Sequence, residues 1–148
     1  MNIKLICVGK VKEAYYRDLI QEYSTRIRKN YKFEIIELPD EKTPEQASEK
    51  EEEKIKELEG IRIIKRIPEE SLVVPLCIQG KQLSTAQLKT QWNVWKTQNQ
   101  TIVFVIGGSL GLSQKVVQRG NLKLSFSKMT FPHQLMRVIL LEQLARLE

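Results

Sequence analysis

The sequence predicts an α/β fold in which a mostly parallel sheet lies between helices, in a single domain of 148 residues. The first observation is a continuously apolar, β-branched segment at residues 102–106, which is typical of a strand covered on both faces. The second is the alternation of strand and helix patterns along the chain. The third is length, because a chain of this size buries one core and no repeat or linker divides it.

Five segments carry the strand pattern, in which apolar and β-branched residues lie between turn signals. The predicted strands are residues 2–8, 33–38, 71–78, 102–106 and 122–126. Cys7 and Cys77 both fall inside predicted strands, so we expect them to be buried and reduced. A turn is expected at Gly80, after the third strand.

Helices are predicted between the strands from apolar spacing and capping residues. The first has apolar residues on one face at Tyr16, Leu19, Ile20, Tyr23 and Ile27. The second is expected to start at Thr43, in a capping box with Gln46, and to run to about Arg66. Ser84 and Gln87 form the capping box of the third helix, which holds both tryptophans.

The strand at residues 102–106 runs into a glycine loop that suits ligand binding. It stops at Gly107 and Gly108, where a ligand can approach a backbone without Cβ atoms. Gly111 closes the turn, and Ser113 is placed to cap a short fourth helix. The cluster has neither the Lys-Ser/Thr of a phosphate-binding loop nor the spacing of a dinucleotide motif. A plain strand-to-helix turn therefore explains the glycines equally well.

A second loop follows the strand at residues 122–126 and ends where Pro132 starts the last helix. In open α/β sheets, ligands bind beyond the carboxyl ends of the strands. Both loops follow such ends, so together they predict one ligand site.

Five segments carry a resemblance to a known family, namely VFVIGGSLGL, LSFSKMTFPHQLMRVILLEQL, IKLICVGKVKEAYY, ELPDEKTPE and LCIQGKQLS. They are similar to the RlmH-type SPOUT methyltransferases, small single-domain enzymes that methylate N3 of a pseudouridine in 23S ribosomal RNA. The resemblance covers nearly the whole chain, and the SFSKMTFPHQ block is very specific to that family. It implies a trefoil knot near the carboxyl end, S-adenosylmethionine as cofactor and assembled ribosomes as substrate. The reduced cysteines expected above, with no signal-peptide or membrane-span pattern, predict a cytoplasmic location.

The resemblance, carried over residue by residue, implies a cofactor site built from strand ends and loops. Its residues are Leu76, Gly107, Gly108, Phe126, Ser127, Lys128, Met129, Thr130 and Phe131. Backbone amides and carbonyls would recognise the edge of adenine, while Leu76, Met129 and Phe131 cover its faces. Taken singly, each apolar member is more often a core residue.

His133 and Arg137 are the candidate catalytic residues. Methyl transfer to a ring nitrogen requires positioning and removal of the N3 proton, and His133, the only histidine, directly follows the cofactor loop. It is expected to act as the base or to bond to the uracil edge, unless it only orients the loop from the helix start. Arg137, one turn along, is expected to bind a phosphate or stabilise the developing anion, or else to pair with a carboxylate across a dimer.

The charge distribution suits a polyanionic partner such as RNA. The net charge is +6, with basic residues concentrated at residues 10–32 and 114–148 and acidic ones at residues 41–59. Lys10, Lys12 and Arg17 are candidate contacts for the RNA backbone, although solvated surface charges need no such explanation. No cysteine or histidine set has ligand spacing, and no segment has the pattern of a signal peptide or membrane span, so we expect neither a metal site nor a membrane.

The last helix is apolar around most of its circumference. Its apolar residues are Leu135, Met136, Val138, Ile139, Leu140, Leu141, Leu144 and Leu147. Burial in one domain would account for them, but a twofold interface does so as well, and the resemblance implies a homodimer whose active site includes parts of both subunits.

The family pattern continues past the last helix with a Tyr-Arg pair and a further tail that belongs to the substrate site. This sequence has Ala145 where that tyrosine would stand and stops at Glu148. Two hypotheses follow: an active RNA methyltransferase, or a knotted, dimeric protein that binds cofactor or RNA without effective catalysis.

Overall fold

The computed structural model describes residues 1–147, and its strands form one five-stranded sheet. The strands are β1 (Asn2–Val8), β2 (Lys32–Leu38), β3 (Leu72–Gln82), β4 (Thr101–Ile106) and β5 (Leu124–Ser125). Their order is β2-β1-β4-β3-β5, and every pairing is parallel. The predicted parallel sheet is confirmed, and all carboxyl ends therefore lie at one edge of it.

Helices cover both faces of this sheet. They are α1 (Ala14–Arg28), α2 (Glu49–Arg66), α3 (Thr85–Gln98), α4 (Gln114–Arg119) and α5 (His133–Ala145). On one face, α1, α3 and α5 contribute Ile27, Trp92 and Leu140 to the larger apolar cluster. On the other, α2 and α4 contribute Ile63 and Val116 to a second cluster. Successive residues of the central strands alternate between these clusters, which explains their continuously apolar sequence.

The start of α2 differs from the prediction. The helix begins at Glu49, and its N-cap is Ser48, whose side chain forms a capping box with Glu51. Thr43 instead lies in an irregular segment that precedes the helix. The acidic first turn of α2 favours the later start, because carboxylates stabilise a helix N-terminus. The other predicted capping box, Ser84 with Gln87, is confirmed.

The prediction of a turn at Gly80 was wrong, because β3 continues to Gln82. The register between β3 and β5 shifts between Leu76 and Lys81, and the two backbones approach closely there. A Cβ on Gly80 would lie 2.8 Å from backbone atoms of Lys123 and Leu124. Glycine is therefore needed for close approach, and β5 is shorter than the predicted strand at residues 122–126.

Other local predictions are confirmed with small differences. Ser113 caps α4 by accepting a hydrogen bond from the Val116 amide, and Pro132 is the N-cap residue of α5, one position before its first helical residue. Cys7 is buried, Cys77 is half-buried, and both are free thiols. No helix among residues 1–147 is long and apolar enough to cross a membrane.

Candidate functional site

A cavity of about 1100 Å³ lies at the carboxyl edge of the sheet, beside the ends of β3, β4 and β5. The glycine loop after β4 and the loop between β5 and α5 both line it. Both predicted loops thus border the same space, at the position where open α/β sheets bind ligands.

The glycine loop after β4 is a tight turn that only glycine permits. Gly111 has a φ of +86° and donates its amide to the carbonyl of Gly108 at 3.0 Å. A Cβ on Gly107 would lie 2.7 Å from the carbonyl carbon of Gly111. The turn therefore packs backbone against backbone, and its three glycines leave peptide groups open to the cavity beside Ser109, Leu110 and Leu112.

The loop after β5 is held in shape by its own serines. The Ser125 hydroxyl donates to the Ser127 carbonyl at 3.0 Å, and the Ser127 hydroxyl accepts from the Met129 amide at 2.9 Å. Met129 is 74% exposed although it lines the cavity. An apolar side chain that is fixed at its backbone but open to solvent is suited to cover the face of a flat ligand.

The structure brings the predicted cofactor residues together at this cavity, with one exception. The lining includes Leu76, Gly107, Gly108, Phe126, Ser127, Met129, Thr130 and Phe131. Lys128 belongs to the same loop, but its side chain is exposed and does not line the cavity. A cationic side chain at this position remains in solvent, beside the opening.

The structure places Arg137 outside the cavity, contrary to the expectation that it contacts substrate. Its side chain is 1% exposed. Nη1 donates to Glu37 at 2.6 Å, and Nη2 donates to the carbonyls of Gly9 at 2.7 Å and Val8 at 3.3 Å. Its carboxylate partner belongs to the same chain. Arg137 therefore ties α5 to the carboxyl ends of β1 and β2 and is unavailable to a phosphate.

His133 lines the cavity at the start of α5 and is half-buried. Its Nδ1 is buried without a hydrogen-bond partner among the described residues. Burial and the positive charge of Arg137 lower its pKa, against the opposing charges of Asp40 and Glu13. Both effects favour the neutral ring, which is the form that accepts a proton.

Several cavity residues were missed by the sequence analysis. Cys77, Ile78 and Gln79 of β3 line the cavity next to Leu76, and Glu53 and Lys56 reach it from α2. No local pattern marks the α2 residues as site residues, since they lie in a helix whose acidic composition indicates only a solvated face.

Glu59 is a buried carboxylate behind the glycine loop, although it belongs to the acidic helix α2. It is 5% exposed, and an added Cβ on Gly108 would lie 3.4 Å from its Oε1. Its Oε2 accepts the Glu41 amide at 2.9 Å. Burial raises its pKa, and the nearby charges of Asp40 and Glu41 add to this effect. Glu59 thus joins the segment after β2 to the rear of the glycine loop.

The residues near the cavity are not arranged to hold a metal. Among residues 1–147, no group of three or more histidine, cysteine, aspartate or glutamate side chains lies close enough to coordinate an ion. The cavity lining offers peptide groups, apolar side chains, the imidazole of His133 and the charged side chains of Glu53, Lys56 and Lys123.

Comparison with known proteins identifies the family. The family model described as "Predicted SPOUT methyltransferase" matches residues 1–147. Proteins named ribosomal RNA large subunit methyltransferase H from Bifidobacterium animalis subsp. lactis and Clostridium beijerinckii are each 54% identical over 147 residues, and one from Clostridium botulinum strain Hall is 55% identical. Each match covers 99% of this chain and 92% of the relative. The chain therefore belongs to the SPOUT methyltransferases, in the RlmH-type branch, and is a methyltransferase.

Proposed function

We propose that the protein transfers a methyl group from S-adenosylmethionine to N3 of a pseudouridine in 23S ribosomal RNA, on the ribosome and in the cytoplasm. The observation that carries this proposal is the single cavity bordered by the glycine loop, the loop after β5 and the imidazole of His133. The names of the relatives, which are ribosomal RNA large subunit methyltransferases, support RNA as the substrate.

The cavity residues fit the cofactor by size and by chemistry. A volume of about 1100 Å³ accommodates a cofactor of this size together with part of a nucleotide. The loop at residues 126–131 offers peptide groups to the adenine edge, with Leu76 and Phe131 against the ring faces. The glycine turn at Gly107 and Gly108 leaves room for ribose and the amino acid. When bound, the cofactor supplies an electrophilic methyl group on a sulfonium.

His133 performs the proton transfer in this proposal. The substrate nitrogen must lose its proton to attack, and the neutral imidazole accepts it. A cofactor held by the two loops would supply the methyl group to that nitrogen, and the His133 imidazolium would return its proton to solvent. Most of the rate acceleration comes from alignment of the nitrogen with the methyl group, because the step is an in-line displacement.

The rim of the cavity is suited to RNA phosphates. Lys10 and Lys12 follow β1 at the carboxyl edge of the sheet, and Lys128 is exposed in the loop after β5. We assign these three side chains to backbone contacts, which position an RNA without reading its sequence. The affinity for RNA is then expected to fall steeply with salt.

The proposal includes a homodimer and a trefoil knot. The half-buried Leu135 and Ile139 of α5 and the 63% exposed Tyr15 of α1 are apolar surface on two helices that pack together, which supports a twofold contact there. The chain also passes from the edge strand β5 to α5, whose first residue, His133, lies beside Gly9 at the end of β1. Such a return across the sheet supports a knotted path for this segment.

Calorimetric titration with S-adenosylmethionine tests the site. Wild-type protein is expected to bind the cofactor, whereas Gly107→Val, which places a side chain on the backbone of the turn, abolishes binding. Lys128→Ala is the matched control from the second loop and keeps wild-type affinity, because its side chain does not line the cavity. Equal affinity in wild type and Gly107→Val, at an unchanged melting temperature, would place the cofactor elsewhere.

A further inference from the structure

Three charged side chains lie near His133 but do not line the cavity. They come from three separate elements: Glu13 at the start of α1, Asp40 in the segment after β2, and Arg137 on α5. Nothing in the proton transfer described above uses the two carboxylates. Their position near the imidazole but outside the cavity lining is the observation that needs an explanation.

The missing side chain of Gly9 opens the space between these groups. Gly9 has a φ of +90°, which favours glycine, and a Cβ placed on it would lie 3.5 Å from Cε1 of His133 and 4.0 Å from Cγ of Asp40. Asp40 and His133 therefore face the same point from different elements. Any larger residue at position 9 would strain the backbone and enter the space between them.

Complementary polar atoms in this region are buried without partners. They include Oε2 of Glu13, Nδ1 of His133 and Nε of Arg137. Glu13 is the N-cap residue of α1, yet its side chain makes no capping hydrogen bond. A buried acceptor and a buried ring nitrogen, each without a direct partner, cost stability unless one water joins such groups.

The backbone on either side of Asp40 is held in place by α2. Glu59 accepts the amide of Glu41, and Arg62 donates to the carbonyl of Pro39 at 3.3 Å and pairs with Glu41. Asp40 lies between these two anchored residues. It is therefore presented to His133 by a fixed segment, although its own side chain is exposed.

We propose that Glu13 and Asp40 are positioning residues for His133: their negative charge keeps the proton of the neutral ring on Nδ1, so that Nε2 faces the cavity as the base. This inference rests on the proposed function of His133 and extends it. A carboxylate behind an imidazole fixes its tautomer and stabilises the imidazolium that forms when the ring takes a proton. Arg137 acts in the opposite sense, since its charge favours the neutral ring.

The test uses the fact that His133 is the only histidine in the chain. Ring nitrogen chemical shifts of 15N-histidine-labelled protein report its tautomer and its pKa without overlap. Wild type is expected to carry the proton on Nδ1 above its pKa. In Asp40→Asn and Glu13→Gln, the His133 pKa falls and the tautomer moves toward Nε2–H, most strongly in the double variant. Asp18→Asn, an exposed carboxylate on α1, is the control and leaves both unchanged.

Methyl-transfer kinetics supply the second readout. The double variant is expected to lose about tenfold or more in kcat with an unchanged KM for S-adenosylmethionine. The acidic limb of its kcat–pH profile moves to lower pH, because the His133 pKa falls. A dominant Nε2–H tautomer in wild type, or a tautomer and pKa that neither variant changes, would overturn the inference. Absence of methyl transfer by wild type would instead count against the proposed function, and the nitrogen shifts would still decide the positioning claim.

Discussion

Replacement of Arg137 by methionine separates a structural from a substrate-binding role for this residue. Methionine fills much of the same volume without the guanidinium. The change removes the donors to the carbonyls of Gly9 and Val8 and the ion pair with Glu37. The expected result is a folded protein of much lower stability that still binds S-adenosylmethionine.

The magnitude follows from the environment of each partner. Each carbonyl that loses its donor in a buried position costs about 1–3 kcal/mol. The Glu37 side chain is 42% exposed, so water replaces the arginine there at little cost. The net loss is about 3 kcal/mol, which lowers the melting temperature of a chain of this length by ~10 °C.

The assay is thermal unfolding at several pH values, together with cofactor titration well below the transition. Arg146→Met is the matched control, because Arg146 is an exposed arginine near the end of the same helix and pairs only with Glu142 among the described residues. It is expected to leave the melting temperature unchanged. A fully stable Arg137→Met protein that binds cofactor but transfers no methyl would refute the structural assignment and return Arg137 to the substrate.

Three other predictions follow from the structure. Gly80→Ala is expected to destabilise the fold by about 1–3 kcal/mol and to weaken cofactor binding, because its Cβ would meet the β5 backbone. Circular dichroism melts measure the stability and calorimetry the binding, and unchanged values would contradict the close approach of β3 and β5. The pKa of Glu59 is raised above its ordinary value of 4.5, so the stability that its protonation contributes is present below pH 4.5 and is lost as the pH rises through the folded pKa. Glu59→Gln is therefore expected to melt at a higher temperature than wild type at pH 7 but not at pH 4. The exposed control Glu57→Gln shows no such pH-dependent gain. Iodoacetamide at pH 8 is expected to label the half-buried Cys77 but not Cys7, because burial raises the pKa of the Cys7 thiol to about 12. S-adenosylmethionine should slow the labelling of Cys77, which lines the cavity. Mass spectrometry measures the labelling of each cysteine, and labelling of Cys7 in folded protein would contradict its burial.

The parts of the fold that depend on local patterns could be predicted from the sequence. The apolar run of β4 and the capping box at Ser84 each specify their element without tertiary help. Two similar capping signals occur before α2: the acidic first turn favours the one at Ser48, and the contacts of the preceding segment with Glu59 and Arg62 hold that segment outside the helix. Such contacts join residues far apart in sequence, so no local pattern contains them.

Some parts of the candidate site could also be predicted from the sequence, and others could not. The two loops at the strand ends could be located because glycines and a specific sequence block mark them. The burial of Arg137 could not, because an arginine at helical spacing from His133 indicates a shared face but not what covers that face. The burial of Glu59 could not be predicted either, since the sequence of an acidic helix does not distinguish one buried carboxylate from its exposed neighbours.

The most direct test of the account is isotope transfer from methyl-labelled S-adenosylmethionine to ribosomes that lack the modification, followed by nucleoside mass spectrometry. Wild-type protein is expected to place one labelled methyl group on a pseudouridine of 23S ribosomal RNA, and His133→Ala to bind cofactor with little transfer. Cofactor binding by wild type without label in any nucleoside would contradict the proposal that this chain is an active RNA methyltransferase.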